Sequence, residues 1–456
     1  MQSKQKHSLS LWQGVLGLLL FGTLGPSAFA QDVPPATVEA GEDRLVSIGL
    51  ADRPLVEPYL VAHPSDPSHL LGGVIVIDEG EAYHCAAFVS FDGGHSWRRH
   101  DFPVRECADP WIVLREDGTA LFAGLGAVEG LSDDVSGVYV FRSEDGGRTW
   151  SEEPVHLGDG HDHQTLVVDD SESRFAGSFY LLSVQGTREE ITGGDRSTVF
   201  VARSDDGGRS FNEPTLIIPS NLNLNTMTPV VLADGTLAVS YNEFQRRGLD
   251  ERVWLEREHS WLLLSNDGGQ SFSAPLFMSE SCGKAFPTLA ADRSTTSPYH
   301  GQLYWLCHDI NRTRVYLHHS PDRGERWSDP VRVGRGPEGS HVRTPAIAIN
   351  DEGIVGISWY DTRHDPESAC TDLYFAASLD GGRTFLAEVR VSSASSCPDT
   401  AQNGWAGRRW PAGGDYSGLV ATPDGVFHIL WADSRENVYQ LHTATVEVYA
   451  KATNAN

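Results

Sequence analysis

Seven short apolar stretches in this chain are each introduced by polar residues, five of them through a proline, and these junctions hold the side chains best placed to do chemistry. They read Glu57-Pro58-Tyr59-Leu60, Asp109-Pro110-Trp111-Ile112, Asp162-His163-Gln164-Thr165, Thr228-Pro229-Val230-Val231, Phe286-Pro287-Thr288-Leu289, Thr344-Pro345-Ala346-Ile347 and Tyr416-Ser417-Gly418-Leu419. At or just before them stand Glu57, Asp109, His161, Asp162, His163, Lys284, Arg343, Asp415 and Tyr416; the ends of the strands that follow add Glu243, Asp309, Asp361, Arg363, Asp433 and Arg435. Carboxylates converging on one substrate atom serve as general acid and base, and arginine forks hold a carboxylate bidentately. The junction residues differ from stretch to stretch, which suits a site assembled from unlike parts as well as it suits a solvated rim.

Three further patterns bear on chemistry. The phrase Trp-x-Asp-(Ser/Thr)-Arg occurs at residues 359–363 and 431–435, and its repetition fits an architectural Asp–Arg pair as readily as a ligand clamp. Trp405-Ala406-Gly407-Arg408-Arg409-Trp410-Pro411 is a basic and aromatic cluster just ahead of Tyr416, able to stack on a sugar ring and grip a carboxylate, or simply to cover a structural junction. In His161-Asp162-His163, strand alternation puts Asp162 on the side opposite both histidines, so no metal is expected there. No glycine-rich phosphate loop, His-Glu-x-x-His helix or Gly-x-Ser-x-Gly elbow occurs, and no cofactor is expected.

The elements that must position these residues announce themselves by repetition. Ser-x-Asp-Gly-Gly-x-(Ser/Thr)-(Trp/Phe) begins at Ser90, Ser143, Ser204, Ser265 and Ser378, with a worn copy from Ser320 through Asp322, Gly324 and Trp327. The Asp accepts N–H groups across a tight turn, the glycines take positive φ, and the aromatic returns to the sheet. A spacing of roughly fifty to sixty residues is that of a four-stranded propeller blade. This phrase is identified as the Asp-box of the sialidase-like propellers, a resemblance that covers almost the whole chain and specifies fold far better than function.

The expected fold is all-β: a propeller of four-stranded antiparallel blades, seven by the count of leading strands, with six, the number in known sialidases of this type, as the alternative. The seventh unit lacks an Asp-box and a fourth strand, so residues 45–50 are expected to close the ring by pairing with the C-terminal strand. Strands one and three run the same way. The starts of the inner strands therefore share a channel mouth with the ends of the second strands, and the Asp-box turns lie on the opposite face.

The closing segment carries a more pointed resemblance. Tyr416-Ser417-Gly418-Leu419, followed by Asp424-Gly425, is similar to the last blade of sialidases, whose tyrosine is the nucleophile. A neutral phenol suits an anionic sugar that would repel a carboxylate. The resemblance implies Tyr416 as nucleophile, Glu243 or Glu57 as its base, and Asp109 or Asp162 as general acid. From positions outside the family's pattern, Lys284, Arg343, Arg363, Arg408, Arg409, Asp415, Arg435, Trp405 and Trp410 are the candidates for substrate contacts. The family's opening Arg-Ile-Pro is missing, as is its pairing of a strand-one Glu with an Arg about sixteen residues on, and exo-sialidase activity is accordingly not the first expectation.

Residues 1–30 read as a secretory leader, with Lys4 and Lys6, an apolar run over 16–21 and Ser27-Ala28-Phe29-Ala30 before Gln31. Residues 31–44 read as a linker, 45–447 as the propeller and 448–456 as a tail. The formal charge of −27 argues against nucleic acid, and no stretch is long enough for a membrane helix. Six cysteines allow fifteen pairings, and proximity favours Cys85–Cys107, Cys282–Cys307 and Cys370–Cys397 as structural bridges. The expectation is an exported protein, periplasmic or extracellular, that processes a carbohydrate as a glycoside hydrolase or related enzyme. The alternative is a propeller that binds a glycan or a protein without transforming it.

Overall fold

Apolar strands cut by glycine turns pair with their sequence neighbours into seven antiparallel sheets, each with the inner-to-outer order of one propeller blade. The computed structural model describes residues 36–186, 198–217, 223–226, 228–247, 251–253, 259–279, 282, 288–309, 311–365 and 370–450. The innermost strands of blades one to seven are Leu55–Ala62, Arg105–Leu114, His161–Val168, Asn223–Thr226 continued by Val230–Val231, Thr288–Ala291, Val342–Ile349 and Gly418–Ala421. Blade one is complete in Leu55–Ala62, Leu70–Ile77, Tyr83–Ser90 and Arg98–Asp101.

Each second strand is covered on both faces by neighbouring blades, which is why Leu70–Ile77, Val355–Asp361 and Phe427–Asp433 are buried along their whole length. Large aromatics fill the wedges between blades, and Trp305, Trp359 and Trp431 are entirely buried.

Ring closure differs from the expectation drawn from the sequence. The fourth strand of blade seven is Ala36–Ala40, inside the stretch read as linker, pairing with Gln440–Ala450 from Ala36 opposite Ala450 to Ala40 opposite Val446. Of residues 45–50, Leu45 pairs with that strand in the two-residue strand Arg44–Leu45, and the Val46 N–H donates to the Leu441 carbonyl at 2.8 Å. Val46 and Leu50, whose apolar character suggested a strand, are buried in the core between blades seven and one, and the chain turns between them through Leu50 N–H to the Ser47 carbonyl.

The Asp-box turns share one bonding circuit. Ser90 Oγ accepts the Gly94 N–H at 2.9 Å and donates to Asp92 Oδ1 at 2.8 Å, while Asp92 accepts the Ser96 N–H and hydroxyl. The worn copy keeps the circuit with a guanidinium in place of a hydroxyl: Arg326 N–H and Nε both donate to Asp322. Gly93 N–H bonds the Ser68 carbonyl and Gly146 N–H that of Gly118, so these turns sit beside the hairpin joining strands one and two, at the end remote from the inner-strand starts. All three expected disulfides form, with Cα separations of 5.3, 5.4 and 4.2 Å in chain order. Among the described residues no helix is long and apolar enough to cross a membrane.

Candidate active site at the channel mouth

Four inner strands break their pairing register at the same place. The shift falls between Val56 and Tyr59, between Ala108 and Trp111, between Asp162 and Thr165, and between Arg343 and Ala346. In each bulge one residue adopts positive φ: Glu57 at 57°, Asp109 at 49°, His163 at 56° and Thr344 at 40°. None is glycine, and three of them precede proline. Such strain costs on the order of 1–3 kcal/mol per residue and persists where the surroundings enforce it. A bulge re-aims a side chain that regular pleating would direct elsewhere. Here Glu57, Asp109 and His163 all reach one cavity of about 440 Å³ at the mouth.

Asp162, Asp415, Tyr83, Trp405, Arg409 and Trp410 complete much of its wall. The cavity adjoins a narrower throat of about 110 Å³ along the propeller axis, lined by Tyr59, Trp111, Thr226, Pro345 and Tyr416; His163 and Asp415 border both spaces. Tyr59 and Trp111 stack with ring centroids 3.8 Å apart, and Tyr416 meets Trp111 edge-on at 5.8 Å. Above, the short helix Gly404–Arg409 brings Trp405 within 5.1 Å of both Tyr83 and Trp410, and Arg409 lies 4.7 Å over the Trp410 ring.

Blade seven is fastened to blade one through Glu57. Its N–H donates to the Gly413 carbonyl at 2.8 Å, Asp415 N–H donates to Oε1 at 3.3 Å, and the Tyr416 hydroxyl donates to Oε2 at 3.3 Å. Gly414, at φ 147°, makes this approach feasible, because a Cβ there would lie 2.8 Å from both the backbone nitrogen and Cγ of Glu57. Asp109 accepts the His163 N–H on Oδ2 at 3.2 Å, linking blades two and three in the same way.

The electrostatics follow from crowding. Burial, reinforced by Asp109 and Asp415, pushes the Glu57 carboxyl well above the usual range, and Arg409 opposes this only in part. Burial also raises Asp109, helped by Asp162 and Asp415 against the pull of His163. The Tyr416 phenol is driven up by burial and by Glu57, Asp109 and Asp415. Arg409 is the single guanidinium among the described residues lining the mouth cavity. Crowded, buried acids resist further negative charge, and their field stabilises positive charge that develops within the site.

The other residues singled out from the sequence lie elsewhere. Glu243 accepts the Trp261 Nε1–H at 2.9 Å within blade four and lines neither space. The two Trp-x-Asp-(Ser/Thr)-Arg phrases build matching buried circuits: Asp361 accepts from Trp359 and from Arg363, and Asp433 from Trp431 and from Arg435. Arg363 also reaches Glu388 at 3.0 Å and Arg435 reaches Asp43 at 2.7 Å, so both guanidiniums are engaged as blade ties and neither faces the mouth. Arg408 is on the rim, 3.7 Å from Glu81. Arg343 is half-buried beside Arg312, and their mutual repulsion adds to burial in lowering its pKa. Lys284 lies outside the described residues. His161 is buried against Ser183 and held near-neutral by burial, with a pKa lowered to about 4.

Sequence reasoning missed Tyr59, Tyr83 and Trp111. For Tyr59 and Trp111 a signal existed, since each directly follows a bulge proline. Tyr83 opens a third strand and carries no such mark.

A seven-bladed ring with Asp-box turns beneath and a polar mouth above defines a sialidase-like propeller. Residues 35–299 match the family model described as BNR repeat-like domain, and the chain belongs to that family. No curated protein matches the sequence. Among solved structures, a protein of unknown function from Dyadobacter fermentans is similar at TM-score 0.51 and 13% identity, covering 90% of this chain and 99% of that one, which supports the fold. The Hadza microbial sialidase Hz136 aligns at TM-score 0.47 and 15% identity over 92% of this chain and 93% of its own. An α-L-arabinofuranosidase from Fusarium graminearum aligns at 0.45 and 11% over 75% and 92%.

Proposed function

We propose that this chain is an exported glycoside-processing enzyme whose reaction is centred on Tyr416 and Glu57. The observation that carries the reading is their hydrogen bond inside a mouth where Asp109, Asp162 and Asp415 also converge among sugar-sized aromatic faces. Ionised Glu57 takes the phenolic proton as Tyr416 attacks the anomeric carbon. Asp109, whose pKa burial raises in the direction a general acid needs, donates to the departing oxygen. The oxocarbenium-like charge that grows on the sugar between these events is stabilised by the surrounding carboxylates.

The same charge distribution argues for a sugar without a carboxylate. Several acids face one arginine, whereas capture of an anionic sugar calls for a cluster of guanidiniums. The three disulfides fit an oxidising compartment, as the leader-like N-terminus suggests. Screening the purified protein on a glycan array, scored for retention and for cleavage, tests the reading: cleavage of neutral glycosides that is lost in Tyr416→Phe supports it. Retention without cleavage assigns the binding role instead.

A further inference from the structure

A groove of about 1050 Å³ lies between blades one and two, beside the mouth rather than within it. Glu81 and Tyr83 line both spaces, so the groove adjoins the site across these two side chains. Its size is at the upper end of the roughly 300–1,000 Å³ typical of ligand clefts, far more than one sugar ring needs.

Its lining has two parts. The base is apolar, with buried Phe102, Val104 and Val128 and the exposed Leu131, which shows 52% of its surface. The edges are acidic: Glu106, Glu129, Glu152 and Glu153 are all exposed, and among the described residues none of them has a salt bridge. The basic groups nearby are engaged, Arg105 with Asp133 and His84 with Asp78 and Asp101. An apolar bed takes the C–H faces of sugar rings, and carboxylates at the edge accept bonds from hydroxyl or ammonium groups while repelling uronates.

We propose that this groove holds the further units of a chain-like oligosaccharide whose first unit sits in the mouth, that these units carry no negative charge, and that amino sugars are held best. The inference rests on the reading of the mouth as a sugar site and adds the form and charge of the substrate. An isolated acidic edge would bind cations at random; the shared wall at Glu81 and Tyr83 is what orders the ligand into one chain.

Calorimetric titration with glucosamine oligomers of one to six units, neutral cello-oligosaccharides and oligogalacturonates tests it, using the full chain. Affinity is expected to rise with length by about tenfold or more from dimer to hexamer, most steeply for the glucosamine series, with the uronates weakest. Leu131→Trp, which fills the groove from an exposed position, and the pair Glu129→Lys with Glu152→Lys are expected to remove the length dependence and leave binding of the single-unit sugar unchanged. Affinity that does not depend on length, or uronates bound as tightly as glucosamine oligomers, overturns the inference. In that event, dimer binding that is still weakened by Glu57→Gln leaves the mouth reading standing. Oligolysine that binds the groove while the hexamer binds no more tightly than the single-unit sugar identifies a basic-peptide surface and likewise overturns it.

Discussion

The Tyr416 hydroxyl donates to Glu57 Oε2 at 3.3 Å across the seam where blade seven meets blade one, joining residues 359 positions apart in the chain. The pair depends on two devices: a bulge that holds Glu57 at positive φ, and a glycine at 414 that lets the incoming strand lie against it. Replacing Tyr416 by Phe removes the nucleophile and leaves the ring packing against Trp111. Turnover of a cleaved glycoside is expected to fall about 10²- to 10⁴-fold with an unchanged circular dichroism spectrum. Glu57→Gln is expected to give a loss of similar size. If Tyr416→Phe retains activity and Glu57→Gln does not, Glu57 itself is the reacting group.

The same crowding has a cost in stability with a definite sign. An acid whose folded-state pKa is raised binds its proton more tightly in the native state than in the unfolded chain. Its contribution is therefore fully present at low pH and lost as pH rises from the unfolded value of about 4.3 through the folded one. Glu57→Gln mimics the protonated form, so its Tm should exceed that of the parent by roughly 2 °C or more at pH 7–8. The gap should close towards pH 4. An equal difference at both pH values would mean that Glu57 is not held up by burial and its acidic neighbours.

The sequence disclosed the repeating frame more readily than the site, and the reason is the range of the interactions involved. An Asp-box is local: Ser90, Asp92, Gly94 and Ser96 satisfy one another within a single turn. Blade number from the leading strands, the opposite-face placement of these turns from strand direction, and the three disulfides from cysteine proximity are likewise short-range readings. Glu57, Asp109 and Tyr416 were visible because they precede or open inner strands, but their meeting depends on the ring closing. Glu243, at the exit of a second strand, was also a candidate base and instead bonds Trp261. The architectural Asp–Arg pairs that repetition favoured form within the phrases, Asp361 with Arg363 and Asp433 with Arg435, while the second partners, Glu388 and Asp43, come from outside them and were not legible. Ring closure by Ala36–Ala40 was missed because a short edge strand of mostly half-buried residues carries little apolar signal, whereas Val46 and Leu50 carry more and serve a turn.

Asp43 shows how that closure is locked. It receives both Nη groups of Arg435 and the N–H and hydroxyl of Ser393, tying the N-terminal segment to blades six and seven. Burial acts to raise its pKa, but the bonds from Arg435 and Ser393 outweigh burial and the net shift is downward. A depressed carboxyl stabilises above its unfolded pKa, and that stability is lost as pH falls through the folded one. Asp43→Asn is expected to lower stability at pH 7 by about 2 kcal/mol, since Arg435 keeps Asp433 but loses one partner. The deficit relative to the parent should shrink below pH 4. Thermal melts at pH 3.5 and 7 measure both effects.

The bridge between Cys85 and Cys107 couples frame and site more directly. Cys85 lies in the third strand of blade one, and Cys107 stands two residues before Asp109 in the bulged strand of blade two. Gly124 on the adjacent strand makes room for it, because a Cβ there would sit 2.7 Å from the Cys107 sulfur. Replacing both cysteines by serine is expected to cost about 2–4 kcal/mol, as for removal of other native bridges closing loops of this length. The strained φ at Asp109 is held by its surroundings, and loosening blade two against blade one should let it relax. Activity in the double variant should therefore fall by more than the folded fraction does at the assay temperature. Activity that tracks the folded fraction alone would show that the bulge is fixed by its own strand pairing and by the His163 N–H, without help from the bridge.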